Sequence, residues 1–182
     1  MARVRKRGAT AAVKRRDPKQ RSNTRSQSTT PGRITSDVLM SIKPHHLANI
    51  ISHDKNHEYR KYRLKDGVSR LWLYETGSGG GRSSITHIAI IPPTTRHEPG
   101  SVPTEPAGIG NDDFNAGCKE SKYGYPIIEL YKLVNPVTLS EMKARWGMGG
   151  APMGWQYVTP DLWENRWGER EEERSDKVNK VF

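Results

Sequence analysis

The pattern of apolar and polar positions becomes regular only after a long polar N-terminal segment. The run DVLMSI (37–42) is short and continuous, which predicts a buried strand. Pro44 then fits the first turn of a helix, where its missing N–H would have had no partner. Leu47, Ile50 and Ile51 follow at the spacing of one helix face and predict a buried stripe. We therefore expect the folded part to open with a strand and an amphipathic helix.

Five more stretches have the composition or the alternation of extended chain. They are HEYRKYR (57–63), SRLWLYE (69–75), SSITHIAIIP (83–92), YPIIELYKLV (125–134) and APMGWQYV (151–158). In the second of them, Leu71 and Leu73 fall on one face, and Trp72 and Tyr74 fall on the other. Turn sequences containing Gly separate several of these stretches.

Three short helices are predicted from polar residues that can cap their N-termini. A side-chain oxygen at such a position accepts from a backbone N–H that has no partner inside the helix. The predicted starts are Asn111-Asp112-Asp113 for a helix through Phe114, the capping box Thr138 to Glu141 for a helix to about Trp146, and Thr159 before Pro160. On the last helix, Trp163 and Trp167 are spaced i, i+4 and predict helix packing.

Two segments lack a periodic pattern. Residues 92–110 contain five Pro and three Gly, and a loop of this length is usually functional or disordered. Residues 169–180 mix acidic and basic side chains and predict a solvated or frayed end. We therefore predict a basic tail over 1–36, one α+β domain over 37–168 and a charged C-terminal end over 169–182. The domain is expected to be a small, mostly antiparallel β-barrel with flanking helices.

The excess positive charge belongs to the N-terminal tail. The net charge is +10, and residues 1–36 hold 11 of the 30 Lys/Arg but only one of the 20 Asp/Glu, Asp17. Residues 37–182 are therefore neutral. The tail has no aromatic residue, and its composition predicts disorder. Its two basic clusters resemble a nuclear-import signal or a nucleic-acid-binding arm, and they consist of Arg5, Lys6 and Arg7 and of Lys14, Arg15 and Arg16.

Nuclear localisation is the first expectation from this tail. A mitochondrial presequence is an alternative, although the tail has almost no large apolar residue to form an amphipathic face. A cytoplasmic protein with a solubilising tail is another. The N-terminus lacks an apolar h-region, so we expect no signal peptide. No run approaches the ~18 apolar residues of a membrane span, so no membrane partner is expected.

Neither a disulfide nor a metal is expected. Cys118 is the single cysteine, which excludes an internal disulfide and a Cys-based zinc site. The sequence does gather Asp54 and four histidines, His45, His46, His53 and His57. Their spacing matches no established zinc site. We therefore expect no metal and no other cofactor.

Six ordered sequence blocks between residues 38 and 158 resemble the ASCH family of the PUA-like superfamily. They are VLMSIKP, HDKNHEYRKY, LWLYET, GIGNDDF, YGYPIIEL and APMGWQYV. The second block resembles the family pattern Gly-x-Lys-x-x-Glu-x-Arg, with His53 at the position of the Gly. His87 likewise stands where a Gly is common in the fourth strand. The loop 92–106 is longer than in the family and richer in Pro.

The resemblance implies a cleft beside the first helix, where members of the superfamily are expected to bind RNA or modified bases. Lys43, at the end of the first strand, and Lys55, Glu58 and Arg60, on the next strand, are expected to converge there. The cations would hold a phosphate or a base carbonyl. Glu58 would accept from a base amino or imino group, or orient Arg60. The alternative is a surface ion pair between Glu58 and Arg60 beside a solvated Lys43.

Aromatic side chains are candidates to stack a flipped or single-stranded base. Trp72 and Tyr74 share one strand face, and Trp155 and Tyr157 share another. Core packing is the alternative and the better interpretation for Trp72. We therefore assign Tyr74, Trp155 and Tyr157 to the predicted nucleic-acid-binding surface.

Three functional hypotheses follow. The first is a non-catalytic module that binds RNA or DNA through the cleft, with the tail adding affinity that does not depend on sequence. The second is a hydrolase of a modified nucleoside or of RNA, with Lys55 and Glu58 as nucleophile or acid–base pair. Some relatives are acetylcytidine amidohydrolases with a Lys and a Thr in the pocket motif; Lys55 matches the Lys, but Glu58 replaces the Thr. The third is an adaptor for protein partners, whose class the sequence does not name.

Overall fold

The computed structural model describes Met1 and residues 32–182 of the chain. The predicted disorder of the tail and its two basic clusters lie outside these residues. In chain order the elements are β1 Ile34–Ile42, α1 Pro44–Ile51, β2 His57–Arg60, β3 Arg70–Glu75, β4 Ser84–Ile90, α2 Asn111–Asn115, β5 Tyr123–Pro126, β6 Glu129–Thr138, α3 Leu139–Arg145, β7 Trp155–Val158, α4 Pro160–Arg166, α5 Glu171–Arg174 and β8 Val178–Lys180. No helix in the described part of the chain has the length and apolar character needed to cross a membrane.

Six strands form the main sheet, in the order β7-β1-β3-β4-β6-β8. All of its pairings are antiparallel except that of β1 with β3. A parallel pair needs a long crossover connection, and the segment that contains α1 and β2 supplies it. Strands β2 and β5 pair with each other in a small second sheet. The predicted mostly antiparallel α+β class is confirmed.

Apolar side chains cover both faces of the main sheet. On β3, Leu71 and Leu73 join a first core that includes Leu47 and Ile50 of α1. Trp72 of the same strand joins a second core with residues of α3 and α4. Because both faces are buried there, β3 is apolar at each position from Leu71 to Tyr74. The predicted alternation along β3 is confirmed, as is the packing of Trp163 and Trp167 against the second core.

A buried carboxylate fastens the parallel pair. Asp37 of β1 is fully buried and accepts from Arg70 Nε at 2.7 Å and Arg70 Nη2 at 2.8 Å. It also accepts from Trp72 Nε1 at 2.8 Å and from the Ser36 hydroxyl at 2.6 Å. Burying a carboxylate is favourable only when charge and hydrogen bonds compensate the lost water, and four donors do so here.

Several predicted boundaries are wrong. Ile51 is 40% exposed, so the buried stripe of α1 consists of Leu47 and Ile50. The stretch 57–63 is extended only to Arg60. The predicted strand 125–134 is two strands, β5 and β6. Between them the chain changes partner, because Ile127 N donates to Asn56 O of the small sheet and Ile128 N donates to Ile90 O of β4.

The predicted helix caps have different outcomes. Thr138 accepts from the backbone N of Glu141 at 3.2 Å, as the capping box predicts. Thr159 holds the N-cap position of α4, but its side chain makes no capping hydrogen bond. The capping role of Asn111 is wrong, because the N-cap of α2 is Gly110 with φ 88°. A left-handed backbone at this position favours Gly over any residue with a Cβ.

The charged C-terminal end is not frayed. Residues 178–180 form β8, which pairs antiparallel with β6. Val178 is buried in the second core, and Phe182 packs against the first. The sequence pattern missed this strand because only one of its three side chains is buried.

The Pro-rich loop is ordered around one guanidinium. Arg96 donates to backbone carbonyl oxygens of its own loop and of the segment that leads into β3. The acceptors in the loop are Pro92, Pro93 and Thr95. Those before β3 are Leu64, Lys65 and Val68. Its guanidinium also lies 5.3 Å from the centre of the Tyr125 ring. This loop therefore has a fixed path along the small sheet, where His97 bridges to Gly124.

Candidate functional site

A cleft of about 800 Å³ opens between the C-terminal end of β1, the start of α1, strand β2 and the loop before β5. Most of the residues that line it are polar, and they include seven charged side chains and two tyrosines. The lining residues are Ser41, Ile42, Lys43, His46, Lys55, Glu58, Tyr59, Arg60, Lys61, Tyr62, Thr76, Lys119, Glu120 and Ser121. The four charged residues predicted to converge, Lys43, Lys55, Glu58 and Arg60, all lie in it.

Three of those residues form a buried charge cluster, which we call the Glu58 cluster. Glu58 Oε2 lies 2.5 Å from Lys55 Nζ, and Glu58 Oε1 lies 2.9 Å from Arg60 Nη2. The side chains of Lys55 and Glu58 are each 6% exposed, and that of Arg60 is 20% exposed. The cluster is therefore not the solvated surface pair that was the alternative prediction.

Backbone carbonyls hold the two cations of the Glu58 cluster in place. Lys55 Nζ donates to His57 O at 2.5 Å, and Arg60 Nη2 donates to Ser41 O at 2.7 Å. The second bond joins β2 to the end of β1, across the cleft floor. Arg60 Nε is buried and has no hydrogen-bond partner among residues 32–182. One donor of the cluster thus remains unsatisfied in the protein alone.

Burial and charge act in opposite directions on Glu58. Burial alone would raise the pKa of Glu58, but the charges of Lys55 and Arg60 and the hydrogen bond from Lys55 hold that pKa below its usual value. Burial lowers the pKa of Lys55, with Glu58 opposing the shift. A carboxylate between two cations stays ionised at neutral pH. With Lys55 and Arg60 both protonated, the Glu58 cluster holds one positive charge in excess.

Tyr59 completes the inner wall of the cleft. Its ring centre lies 5.5 Å from Lys55 Nζ and 5.8 Å from Lys119 Nζ, and its face packs on Phe114 with ring centres 4.4 Å apart. The Tyr59 hydroxyl donates to Asn111 Oδ1 at 2.7 Å. Burial raises the pKa of Tyr59, so the hydroxyl stays protonated and acts as a donor. The side chain that was predicted to cap α2 instead orients a cleft residue.

The rim of the cleft carries exposed charges. Lys61 and Glu120 form an ion pair there with side chains 66% and 83% exposed. Lys43 and His46 flank the start of α1. Burial and the nearby cations lower the pKa of His46, which favours its neutral form.

The predicted aromatic platform does not line this cleft. Tyr74 is 2% exposed and lies in the second core, so it is inaccessible to a base. Trp155 and Tyr157 are partly buried against the first core, with ring centres 5.1 Å apart in an edge-to-face arrangement. Their contact with nucleic acid stays a prediction. Trp72 is fully buried, as core packing predicts.

Sequence reasoning missed the residues that reach the cleft from other parts of the chain. Lys119 and Glu120 come from the loop before β5, which carries no motif that would place it here. Tyr59 and Tyr62 lie within the HDKNHEYRKY block. Strict alternation along a strand, however, predicts that Tyr59 lies on the opposite face from Glu58 and Arg60. In the structure all of them nevertheless line the cleft.

Metal ligation has no support among residues 32–182. No group of three or more His, Cys, Asp or Glu side chains in this range is placed to hold an ion. His57 and His97 are neighbours, with ring centres 5.3 Å apart. Burial, followed by the charges of His97 and Lys55, lowers the pKa of His57 to about 4.

Comparison with known proteins identifies the fold. No protein-family model and no curated protein sequence matches the chain. Crystal structures of an ASCH protein from Zymomonas mobilis do match. One single-substitution variant superposes with a TM-score of 0.52 at 16% identity and covers 74% of this chain and 95% of its own. A second variant superposes with a TM-score of 0.53 at 14% identity. That match covers 71% of this chain and 95% of the variant.

These matches show the fold. The chain has the fold of the ASCH structures, as the sequence blocks predict. At 14–16% identity the likeness carries no information about ligand or activity.

Proposed function

We propose that the cleft binds a nucleobase of RNA, or a modified base, together with the phosphate attached to it. The single observation that carries this proposal is the excess positive charge held at the cleft floor by the Glu58 cluster. Folding buries Lys55 and Arg60 around one carboxylate, and an anionic ligand would neutralise the remaining charge.

The charge of the cleft lining supports an anionic ligand. Five Lys or Arg side chains line it against two Glu, although residues 37–182 as a whole are neutral. Positive charge is thus concentrated in the cleft. A concave site of this kind focuses the field and raises the local concentration of an anion.

The geometry favours one of the two roles considered for Glu58. Its Oε2 is engaged by Lys55 and its Oε1 by Arg60. Glu58 therefore orients the cations, and base contacts fall to side chains with free polar atoms at the rim. Lys43 and Lys119 supply point charges for phosphate, and Tyr62 offers an aromatic ring.

The basic tail is proposed to add affinity that does not depend on sequence. Its six clustered cations, Arg5, Lys6, Arg7, Lys14, Arg15 and Arg16, would contact phosphates outside the cleft. The same clusters are proposed to direct nuclear import. A fluorescent fusion with all six changed to Gln is expected to lose nuclear enrichment.

The test is a binding panel across a salt series. Labelled RNA and DNA single strands, with and without modified bases, are titrated with the full-length chain, the six-Gln tail variant, and Lys43→Ala/Arg60→Ala. For a single strand, each phosphate contact adds roughly −0.7 to the logarithmic salt slope. The tail variant should weaken binding to all strands and flatten the slope. The double variant should abolish discrimination between strands.

Two outcomes would contradict the proposal. If the wild-type chain binds no strand, the cleft is not a nucleic-acid site. If the double variant discriminates as the wild type does, then recognition lies elsewhere on the chain. Lys122→Ala, outside the cleft lining, is a matched control for the loss of a positive charge.

One observation favours a second candidate function, hydrolysis of an acylated nucleoside. This function needs the other protonation state of the Glu58 cluster, with Lys55 neutral, because a neutral amine is the form required for attack on a carbonyl. Burial shifts the pKa of Lys55 downward, toward that state. Incubation with N4-acetylcytidine tests this, with Lys55→Met as the variant that should be inactive. Equal turnover by the wild type and this variant would remove Lys55 from the mechanism.

A further inference from the structure

Met153 is a large apolar side chain without a core to enter. It is fully exposed, in the Gly-rich segment 147–154 that joins α3 to β7. A Cβ added at Gly149, Gly150 or Gly154 would meet nothing within 4 Å, so packing does not explain these glycines. The segment enters the second core only at Met148, and Met153 near its end has no such contact.

The backbone on both sides of Met153 is nevertheless fixed to the cleft. The Pro152 carbonyl accepts from the Ser41 hydroxyl at 2.7 Å. The Gly154 carbonyl accepts from the Tyr62 hydroxyl at 3.4 Å. Ser41 and Tyr62 both line the cleft, and the Ser41 carbonyl also holds Arg60. Met153 is thus anchored at the rim by its two neighbours.

We propose that Met153 is an apolar wedge that enters the base stack of a bound strand. It would separate the base held in the cleft from the next base along the strand. This inference rests on the proposed function, because it requires a nucleobase in the cleft. It adds that the ligand is an oligonucleotide with a stacked neighbour and not a free nucleoside.

The chemistry of Met suits this role. Apolar side chains, Met among them, are inserted between base steps by proteins that unstack nucleic acid. The thioether is polarisable and long enough to cover the face of a ring. The exposed side chain would lose unfavourable contact with water on insertion, whereas the two anchoring hydrogen bonds would keep the backbone in register with the cleft.

A fluorescent base analogue tests the wedge. The strand that binds most tightly in the panel above is made with 2-aminopurine at each position in turn, because its emission rises when it unstacks. Wild-type protein should raise the emission at one position. Met153→Ala should abolish that rise and weaken strand binding about 5- to 10-fold. Binding of the corresponding mononucleotide should change less than about twofold. Met153→Leu should restore both strand readouts.

The matched control is Ile128→Ala, which removes an apolar side chain that is 56% exposed and does not line the cleft. It should leave both strand readouts unchanged. The wedge is overturned if Met153→Ala retains the emission rise, or if it weakens the mononucleotide as much as the strand. If wild-type protein binds no strand, both the wedge and the proposed function fail. If it binds strands and Met153→Ala behaves as wild type, only the wedge fails.

Discussion

Two buried carboxylates in this protein pair with arginine and yet have different surroundings. Asp37 meets one cation, Arg70, and accepts from two further neutral donors between β1 and β3. Glu58 meets two cations, and the Arg60 Nε of its cluster has no hydrogen-bond partner in the described part of the chain. Asp37 lies against a filled core, whereas Glu58 lies on the floor of an open cleft.

The difference separates a structural ion pair from a binding site. The charges around Asp37 balance and its hydrogen bonds are complete, so nothing further is needed there. The Glu58 cluster keeps an extra cation and a free donor. Retaining such an imbalance in a partly desolvated place is unfavourable unless a ligand compensates for it. Charge balance therefore distinguishes the two sites more sharply than burial does.

The largest expected effect comes from removing the structural carboxylate. Asp37→Ala leaves Arg70 and the Trp72 indole N–H without their acceptor, next to the core. We expect the free energy of unfolding to fall by about 3–5 kcal/mol, measured by urea denaturation. Asp161→Ala, an exposed residue in the first turn of α4, should cost far less. A small loss for Asp37→Ala would show that the pair is not structural.

Glu58→Gln is expected to lower the free energy of unfolding by less than Asp37→Ala does. The stability of the Glu58→Gln variant should also depend on added anions. This change leaves two cations facing an open cleft, so we expect a loss of about 1–3 kcal/mol in the free energy of unfolding. Added inorganic phosphate should recover part of it by occupying the cleft. Phosphate also stabilises proteins in general, so the response is compared with that of wild type and of Asp37→Ala. If phosphate stabilises the wild type, Asp37→Ala and Glu58→Gln equally, the two carboxylates do not differ in the way described above.

Two buried histidines give a pH dependence, and one of them, His57, lies beside the Glu58 cluster. Burial is the first cause that lowers the pKa of His87, in the main sheet, and of His57, beside the Glu58 cluster, to about 4. In the unfolded chain these histidines bind a proton near pH 6.5, whereas in the folded chain they bind it only near pH 4. Stability should therefore fall as pH drops from 6.5 to 4, by about 1.4 kcal/mol per pH unit for each histidine.

Single substitutions separate the two contributions. His87→Gln or His57→Gln should each flatten the slope of stability against pH in that window, measured by urea titration at several pH values. Ligand bound in the cleft should alter only the part that depends on His57. The exposed His45→Gln serves as the control. A slope that survives both buried substitutions would assign the acid sensitivity to other groups.

The smallest effect is expected at the rim. Glu120 pairs with Lys61 in an exposed position, where ion pairs contribute little to stability. Glu120→Gln should leave the urea midpoint unchanged. It should raise strand affinity about twofold at low salt, because it frees Lys61 and removes a negative charge beside the phosphate path. Asp66→Asn, an exposed acid outside the cleft, should leave affinity unchanged.

Local patterns predicted much of the fold, and distant partners explain what they missed. The two faces of β3 follow from strict alternation, and Thr138 caps α3 because its partner is three residues away. Strand β8 was missed because its pairing with β6 bridges about 50 residues of sequence. The split at Pro126 was missed because it depends on a change of hydrogen-bond partner, which local composition does not record.

The same limit applies to the candidate site. Lys55, Glu58 and Arg60 lie close together in sequence, so a short block was enough to find them. The rim residues Lys119 and Glu120 approach from a loop about 60 residues away, and Met153 from the segment before β7. Solvent-exposed side chains carry no hydrophobic pattern, and their position follows only from the fold.

The place of β1 in the sheet has a consequence for synthesis of the chain. This strand, among the first described residues, lies between β3 and β7, and Met40 pairs with Trp155. More than a hundred residues must leave the ribosome before β1 acquires its second neighbour. Contacts of such long sequence separation slow folding. The nascent chain therefore exposes one edge of β1 for much of translation, an interval in which chaperones would act on it.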